Sequence, residues 1–356
     1  MNFALVVSNL AGGGAERAML RLAVALGRRG HRVRVIALDA KVEHAVPEGI
    51  ELHTLNARKG VIGSWFAARA LGALHRRLYG AAAATTISTL PFADHAAAGA
   101  RLPGLWCRIA NTLSAEVDEL RRRNPAKAGR RLASYRRLYE GRNLIAVSDG
   151  VAADLKGAIG LQRSTIVRIY NGFDLEAVTS AAALAEPDLP REPFLLHVGR
   201  FMPQKRHDLL LDAFRRSELP QKLVLLCAPT DELHSLISRA GLADRVLIAG
   251  FRPNPYPWMR AAEMVVLSSD REGMPNVLVE ALACGTRVVS TDCPSGPREV
   301  LRGPLARWLA PPGDAGALAA AMRRALAEPR PGSSAVPPEF TEARMVDAYE
   351  ALAGRN

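Results

Sequence analysis

Two glutamates eight residues apart, Glu272 and Glu280, flank a break in the pattern of the chain. Residues 264–267 read as a buried strand. Gly273 and Pro275 interrupt the chain there, and an apolar-periodic helix follows. Asn276 stands where the N-cap of that helix is expected. A helix start offers unpaired N–H groups and a positive dipole end, which suit phosphate. A carboxylate just outside that end, and another one to two turns inside it, can each accept hydrogen bonds from hydroxyl groups. Sugar hydroxyls on both sides of a diphosphate fit this layout. The spacing alone says little, because such glutamate pairs are common on solvated helices; the strand–Gly–Pro–helix context carries the reading.

A second cluster is Gly199-Arg200-Phe201-Met202-Pro203-Gln204-Lys205-Arg206, after an apolar run at 194–198. Two cations five residues apart on a glycine-started loop can clamp both phosphates of a nucleotide, Arg200 as a planar fork and Lys205 as a point charge. The competing reading is a solvated basic loop. Gly250-Phe251-Arg252-Pro253-Asn254 also follows a short apolar run. Its backbone is placed to meet a base edge, and Phe251 or Arg252 to lie against the ring. Asp292-Cys293-Pro294-Ser295-Gly296-Pro297-Arg298-Glu299 is a further strand-end loop, read either as pocket wall or as loop packing.

In the first half, Gly12-Gly13-Gly14-Ala15-Glu16-Arg17 opens a helix after the first strand, so backbone can approach a phosphate or sugar closely. Asp39 stands where a ribose-binding acid of a dinucleotide site belongs, but Arg17 breaks the G-x-G-x-x-G pattern. A tight turn with no ligand is the third reading. Asn111-Thr112-Leu113-Ser114-Ala115-Glu116 follows another strand. His95 is expected at a loop–helix transition after Ser88-Thr89-Leu90-Pro91, at the same sheet edge.

These loops need elements to hold them. Expected strands at 3–7, 33–38, 84–88, 105–110, 144–147 and 165–169 alternate with helices at 14–28, 65–79 and 148–159 and one that ends at 135–140. After a turn at Asn171-Gly172-Phe173-Asp174 and an Ala/Pro-rich stretch, the alternation restarts. Strands are expected at 194–198, 223–227, 246–248, 264–267 and 288–290. Helices are expected at 206–214, 231–240, 257–261, 277–283 and 315–327, with a last one at 342–352. Short apolar strands between amphipathic helices predict an α/β chain with two doubly wound parallel sheets. The expected domains are 1–175, a linker at 176–193, 194–340, and a C-terminal helix at 341–356 packing back on the first domain. Ligands of such folds bind at the C-terminal ends of the strands, here lining one central cleft.

Composition narrows the function. The 356 residues suffice for two domains, and 49% apolar content with mean hydropathy +0.01 is that of a soluble globular protein. No apolar run reaches the roughly 18 residues of a spanning helix. The N-terminus reads as a first core strand rather than a signal peptide, which predicts a cytoplasmic location. Cys107, Cys227, Cys284 and Cys293 make no CxxC pair, so neither zinc site nor disulfide framework is indicated. Residues 1–180 hold 26 Lys and Arg against 14 Asp and Glu, whereas 181–356 hold 21 of each. The whole formal charge of +12 therefore lies in the first half, which implies an acidic partner there. Residues 117–142 carry nine of these cations. Residues 58–79 combine Arg58, Lys59, Arg69, Arg76 and Arg77 with Val61, Ile62, Trp65, Phe66 and Leu71. Such a segment suits an anionic membrane interface, or else a core-facing helix with a solvated basic face. With 5% aromatic residues and no recognition motif, nucleic acid is not indicated.

Taken together, the loop at 12–17, Val147-Ser148-Asp149-Gly150, Tyr170-Asn171-Gly172-Phe173-Asp174, Gly199-Arg200 with Lys205, and Glu272 with Glu280 resemble the retaining GT-B glycosyltransferases of family 4 over essentially the full chain. The loop from Cys293 to Glu299 is similar to the branch that transfers hexoses or N-acetylhexosamines to lipid-linked or surface-polysaccharide precursors. The resemblance implies a GT-B fold and a nucleotide-sugar donor, UDP-linked, held by the second domain. Arg200 and Lys205 hold its diphosphate, Glu280 the ribose, and Glu272 with the backbone of Gly273, Met274, Pro275, Asn276 and Val277 the donor sugar. Gly13 and Gly14 approach from the first domain, as do the acceptor and its contacts Thr112, Ser114 and Glu116. It implies no cofactor and no metal, retention without a protein nucleophile, and a peripheral protein on the inner face of the cytoplasmic membrane. One departure stands out: relatives carry a histidine near Asn111, and this chain has none, which leaves Asn111, Thr112 or His95 for that place. A sugar-nucleotide epimerase, a non-catalytic nucleotide-sugar or polyanion-binding protein, and a dinucleotide oxidoreductase are the alternatives.

Overall fold

A computed structural model of the protein describes the chain except residues 12, 43–45, 58–59, 81, 83, 333–334 and 354–356, and the side chains of 61–62. Gly12, Arg58, Lys59 and the side chains of Val61 and Ile62 thus lie outside the described residues. The chain divides into two compact units, one of Met1–Gly172 with Thr341–Asn356, the other of Phe173–Phe340.

The first unit holds strands β1 (Asn2–Val7), β2 (Arg32–Ala37), β3 (Glu51–Thr54), β4 (Thr85–Thr89), β5 (Leu105–Ile109), β6 (Asn143–Ala146) and β7 (Thr165–Arg168). They form one parallel sheet in the order β3-β2-β1-β4-β5-β6-β7. Its helices are α1 (Gly14–Arg28), α2 (Val61–Tyr79), α3 (Pro91–Gly99), α4 (Leu113–Arg123), α5 (Pro125–Tyr139) and α6 (Asp149–Lys156). The apolar run of β1 serves both faces of the sheet. Phe3, Leu5 and Val7 pack with Met19, Leu22 and Leu26 of α1, while Val6 packs with Leu71 and Leu74 of α2 and Ala93 of α3. That two-sided burial is why the strand reads as a continuous apolar run.

The second unit holds β8 (Phe194–Val198), β9 (Lys222–Leu226), β10 (Val246–Ile248), β11 (Met264–Leu267), β12 (Arg287–Thr291) and β13 (Leu309–Ala310), parallel and ordered β10-β9-β8-β11-β12-β13. Its helices are α7 (Leu175–Ala182), α8 (His207–Ser217), α9 (Asp231–Arg239), α10 (Tyr256–Ala261), α11 (Asn276–Ala283), α12 (Pro297–Val300) and α13 (Ala315–Ala327). The neighbours β8 and β11 are not consecutive in the chain: strand order reverses between them. The loops leaving their C-terminal ends therefore diverge and open the crevice where ligands of doubly wound sheets sit.

The structure differs from expectation at several elements. Part of the supposed linker, α7, is a helix of the second unit capped by Asp174 and packed on α10 and α11. Small alanine-rich side chains hide it from periodicity. Five further elements, β3, α3, α4, α12 and β13, were not expected as elements: β3 is a four-residue edge strand, α3 and α12 start on prolines, which read as loops, and β13 has only two residues. The last helix, α14 (Glu342–Ala353), belongs to the first unit. Its Met345, Val346, Tyr349 and Leu352 enter the core beside α1, and Arg29 binds Asp347 and Glu350. Gly172 allows this return, since a Cβ there would stand 2.6 Å from Met345 Cβ and 2.8 Å from the Thr341 carbonyl.

Candidate active site

The crevice between β8 and β11 brings together residues 67 apart in sequence. Lys205 Nζ lies 2.6 Å from Glu272 Oε1, and the buried Ser269 hydroxyl donates to the same oxygen at 2.6 Å. The surrounding loops are laced by backbone. Asp270 N donates to Gln204 O at 2.9 Å, Gln204 Nε2 to Arg271 O at 2.8 Å, and Ser268 Oγ to Lys205 O at 2.7 Å. The loop after β12 joins them: Glu272 N donates to Pro294 O at 3.2 Å, and Thr291 Oγ1 to Ser269 O at 2.6 Å. Gly296, at φ +100°, lets that loop close, because a Cβ would stand 2.3 Å from Pro275 Cδ. Two largely buried charges, the carboxylate with a further partner in Ser269, form an ordered pair rather than a solvated basic loop.

Arg200, by contrast, is exposed and makes no ion pair among the described residues. Arg206 takes a left-handed conformation (φ 49°) and bridges Asp208 at 2.8 Å and Asp270 at 2.9 Å; these bonds, Asp208 first, hold its guanidinium above its ordinary pKa. Glu280 is buried in the second turn of α11, and Gly273, Met274 and Pro275 are buried at its entrance. The expected cap is corrected: α11 begins at Asn276 with Pro275 as N-cap and no side-chain cap. The N–H groups of Asn276 and Leu278 already bond Met274 O and Pro275 O at 3.0 Å, because the proline turn closes tightly there. Val277 is half-buried. Phe251 is 57% exposed beyond β10, whereas Arg252 is committed to Asp188 at 2.7 Å and lies over Trp258.

Sequence reasoning passed over Ser269, Gln204 and two histidines. His197 in β8 and His207 at the start of α8 are both buried beside Lys205, their ring centroids 4.8 Å apart. Burial, then Lys205, pushes His207 down to about 4; burial also holds His197 well below its ordinary value. No motif marks either residue; only packing reveals them.

In the first unit, Gly13 is the buried N-cap of α1, where a Cβ would overlap the Glu16 carboxylate at 1.9 Å; Gly14 is exposed. Thr112 caps α4 by position, and Asn111 Oδ1 accepts from its N–H at 3.0 Å. The α4 start is already served from within, for Asp154 Oδ2 of α6 accepts from Leu113 N at 2.9 Å and Ser114 N at 3.2 Å. Glu116 faces Arg131 at 3.9 Å. His95 is corrected from the loop–helix transition to the exposed side of α3, one turn in; partial desolvation of its ring, then Arg142, lowers its pKa. Its neighbour Asp94 is fully buried instead, accepting from Ser88 Oγ at 2.6 Å and Tyr139 OH at 2.8 Å. On α2, Trp65 and Phe66 are 60% and 59% exposed in an edge-on pair, on the same side as Arg69, Arg76 and Arg77. Among the described residues no helix is long and apolar enough to cross a membrane, and no three His, Cys, Asp or Glu side chains cluster as metal ligands.

Comparison with known proteins agrees with the fold. Residues 12–177 match the family model described as Glycosyltransferase Family 4, and residues 192–328 that described as Glycosyl transferases group 1. The chain is 38% identical over 166 residues to an N-acetylgalactosamine-N,N'-diacetylbacillosaminyl-diphospho-undecaprenol 4-alpha-N-acetylgalactosaminyltransferase of Campylobacter jejuni, covering 46% of this chain and 45% of that one. It is 29% identical over 194 residues to the lipopolysaccharide core biosynthesis glycosyltransferase LpsE of Rhizobium meliloti, covering 51% and 56%. The chain thus spans about half the length of these relatives. Among solved structures it is similar in fold to Anabaena HepE in complex with UDP-glucose, with TM-score 0.75, 22% identity, and 99% and 100% of the two chains covered.

Proposed function

Because the chain belongs to the glycosyltransferases of group 1, family 4, with the two-domain GT-B fold, we propose that it moves a hexose or N-acetylhexosamine from a UDP-sugar to a lipid-linked or surface-polysaccharide precursor, with retention and without a metal. The observation that carries this reading is the Lys205–Glu272–Ser269 cluster at the strand-order reversal of the second unit. The leaving nucleotide diphosphate gains negative charge as the glycosidic bond breaks. Lys205, Arg200 and the N-terminal end of α11 are the groups of this unit that offset it. Glu272 is a hydroxyl acceptor for the donor sugar, and Glu280 for the ribose. A nucleophilic role for Glu272 is disfavoured, since one carboxylate oxygen already accepts from both an ammonium and a hydroxyl. Retention then follows from same-face attack, a donor phosphate oxygen taking the acceptor's proton.

The acceptor class rests on the relatives: one is named for a diphospho-undecaprenol acceptor, another for lipopolysaccharide core synthesis. UDP as carrier is supported by the HepE complex with UDP-glucose. We further read the protein as peripheral on the inner face of the cytoplasmic membrane, held by the exposed aromatic and basic side of α2. A panel of UDP-, GDP- and ADP-sugars, assayed by nucleotide release with and without lipid-pyrophosphate acceptors, tests the proposal. Selective release from a UDP-sugar is expected, and release from none of them would overturn it.

A further inference from the structure

The loops that leave β8 and β11 are nearly neutral as they stand. Residues 199–208 and 268–275 hold four cations, Arg200, Lys205, Arg206 and Arg271, against three carboxylates, Asp208, Asp270 and Glu272. Lys205 is spent on Glu272, and Arg206 on the two aspartates. A nucleotide sugar brings two fixed negative charges into that setting.

Directly beneath lie two imidazoles with unused nitrogens. His197 Nδ1 donates to Val266 O at 2.9 Å, so the proton is on Nδ1 and Nε2 keeps a lone pair. Among the described residues that Nε2 has no hydrogen-bond partner, and neither nitrogen of His207 has one, although both rings are buried. Buried polar atoms without partners are costly and call for a reason. The lone pair faces the donor loop, since a Cβ built on Gly199 would stand 3.3 Å from His197 Nε2 and 3.5 Å from Lys205 Cδ. The groups around the pair are Lys205 before α8, Asp208 within it, and Phe201, which packs edge-on against His207. Burial first, and the charge of Lys205 after it, keep both rings neutral.

We propose that the His197–His207 pair takes up one proton from solvent when a nucleotide-sugar diphosphate occupies the loop of residues 199–206, supplying positive charge that the site lacks when empty. The inference rests on the donor-site reading above. Burial is the first cause that keeps the imidazoles neutral and Lys205 a lesser one; an anion beside Lys205 offsets the lesser one and, as an opposite charge at short range, favours the protonated ring. Protonated His207 carries an N–H on both ring nitrogens and lies edge-on to His197 with centroids 4.8 Å apart, so a small ring rotation brings one N–H to His197 Nε2. Both histidines are positioning residues, acting on the donor through Lys205 and its loop.

The test is calorimetric titration of the full chain with UDP-glucose, UDP-N-acetylgalactosamine and GDP-mannose, in buffers of different ionisation heat near neutral pH. Their diphosphate diesters do not titrate there, so any proton exchanged belongs to the protein. Uptake of about 0.3–1 proton per ligand is expected, with affinity weakening by up to about tenfold per pH unit as pH rises. His207→Gln should abolish the uptake and flatten that dependence. Should this variant fail to fold, His207→Phe keeps the ring packing and must show the same loss. Binding without proton exchange, or uptake that survives in the His207 variants, overturns the inference alone. Binding of none of the three ligands overturns the donor-site assignment together with it.

Discussion

The Lys205 ammonium meets the Glu272 carboxylate at 2.6 Å, bridging two loops that strand order places on either side of one crevice. The pair is the electrostatic centre of the crevice in the second unit. Lys205→Ala should lower donor turnover by about 10²-fold or more, since a charge aimed at a leaving group is worth that much. Glu272 keeps its Ser269 hydrogen bond in this variant, so the stability loss should stay within about 1–3 kcal/mol. Nucleotide release and urea unfolding measure the two. Near-normal turnover in a folded variant would remove Lys205 from the diphosphate.

Exhaustive chelation is expected to leave sugar transfer unchanged, because Lys205 and Arg200 are assigned the charge that a metal supplies elsewhere. The check is a rate measured in excess EDTA against one with added magnesium or manganese. A strict requirement for either ion would contradict the proposed mechanism.

Asp94 makes stability depend on pH. Burial pushes its carboxyl up to about 7, opposed in part by the hydroxyls of Ser88 and Tyr139 and by Arg108. In the unfolded chain the group ionises near 4, so between pH 4 and 7 the folded state holds the extra proton. Its contribution is therefore full below pH 4 and falls as pH rises to 7, by at most about 4 kcal/mol. Asp94→Asn should flatten that slope in urea unfolding at pH 5, 6 and 7. Parallel profiles for the two proteins would show that the acid ionises normally.

The Trp65–Phe66 pair on α2 leads to a lipid experiment. Trp65→Ala with Phe66→Ala should weaken binding to anionic vesicles by roughly a hundredfold or more, since each ring forfeits about 1.5–3 kcal/mol of burial. Salt should weaken the wild type as well, by screening Arg69, Arg76 and Arg77. Flotation with phosphatidylglycerol vesicles reads both effects. Binding that ignores salt, or no binding at all, would remove the membrane role.

The alternation of short apolar runs and amphipathic helices was enough, read linearly, to indicate two doubly wound sheets. A strand buried on both faces, such as β1 or β8, writes its environment into consecutive residues. The strand-end loops with Lys205 and Glu272 were visible for the same reason. Local chemistry left other things ambiguous. Asn276 resembled a cap, yet the Pro275 turn satisfies the helix start first. His95 resembled a residue at a loop–helix transition, yet α3 turns it outward and buries Asp94 instead. Which loops share a crevice, which oxygen of Glu272 accepts from Lys205 and Ser269, and that two histidines lie dry beneath them depend on strand order and packing. Those relations join residues tens of positions apart, and no local pattern encodes a distance that only the folded sheet sets.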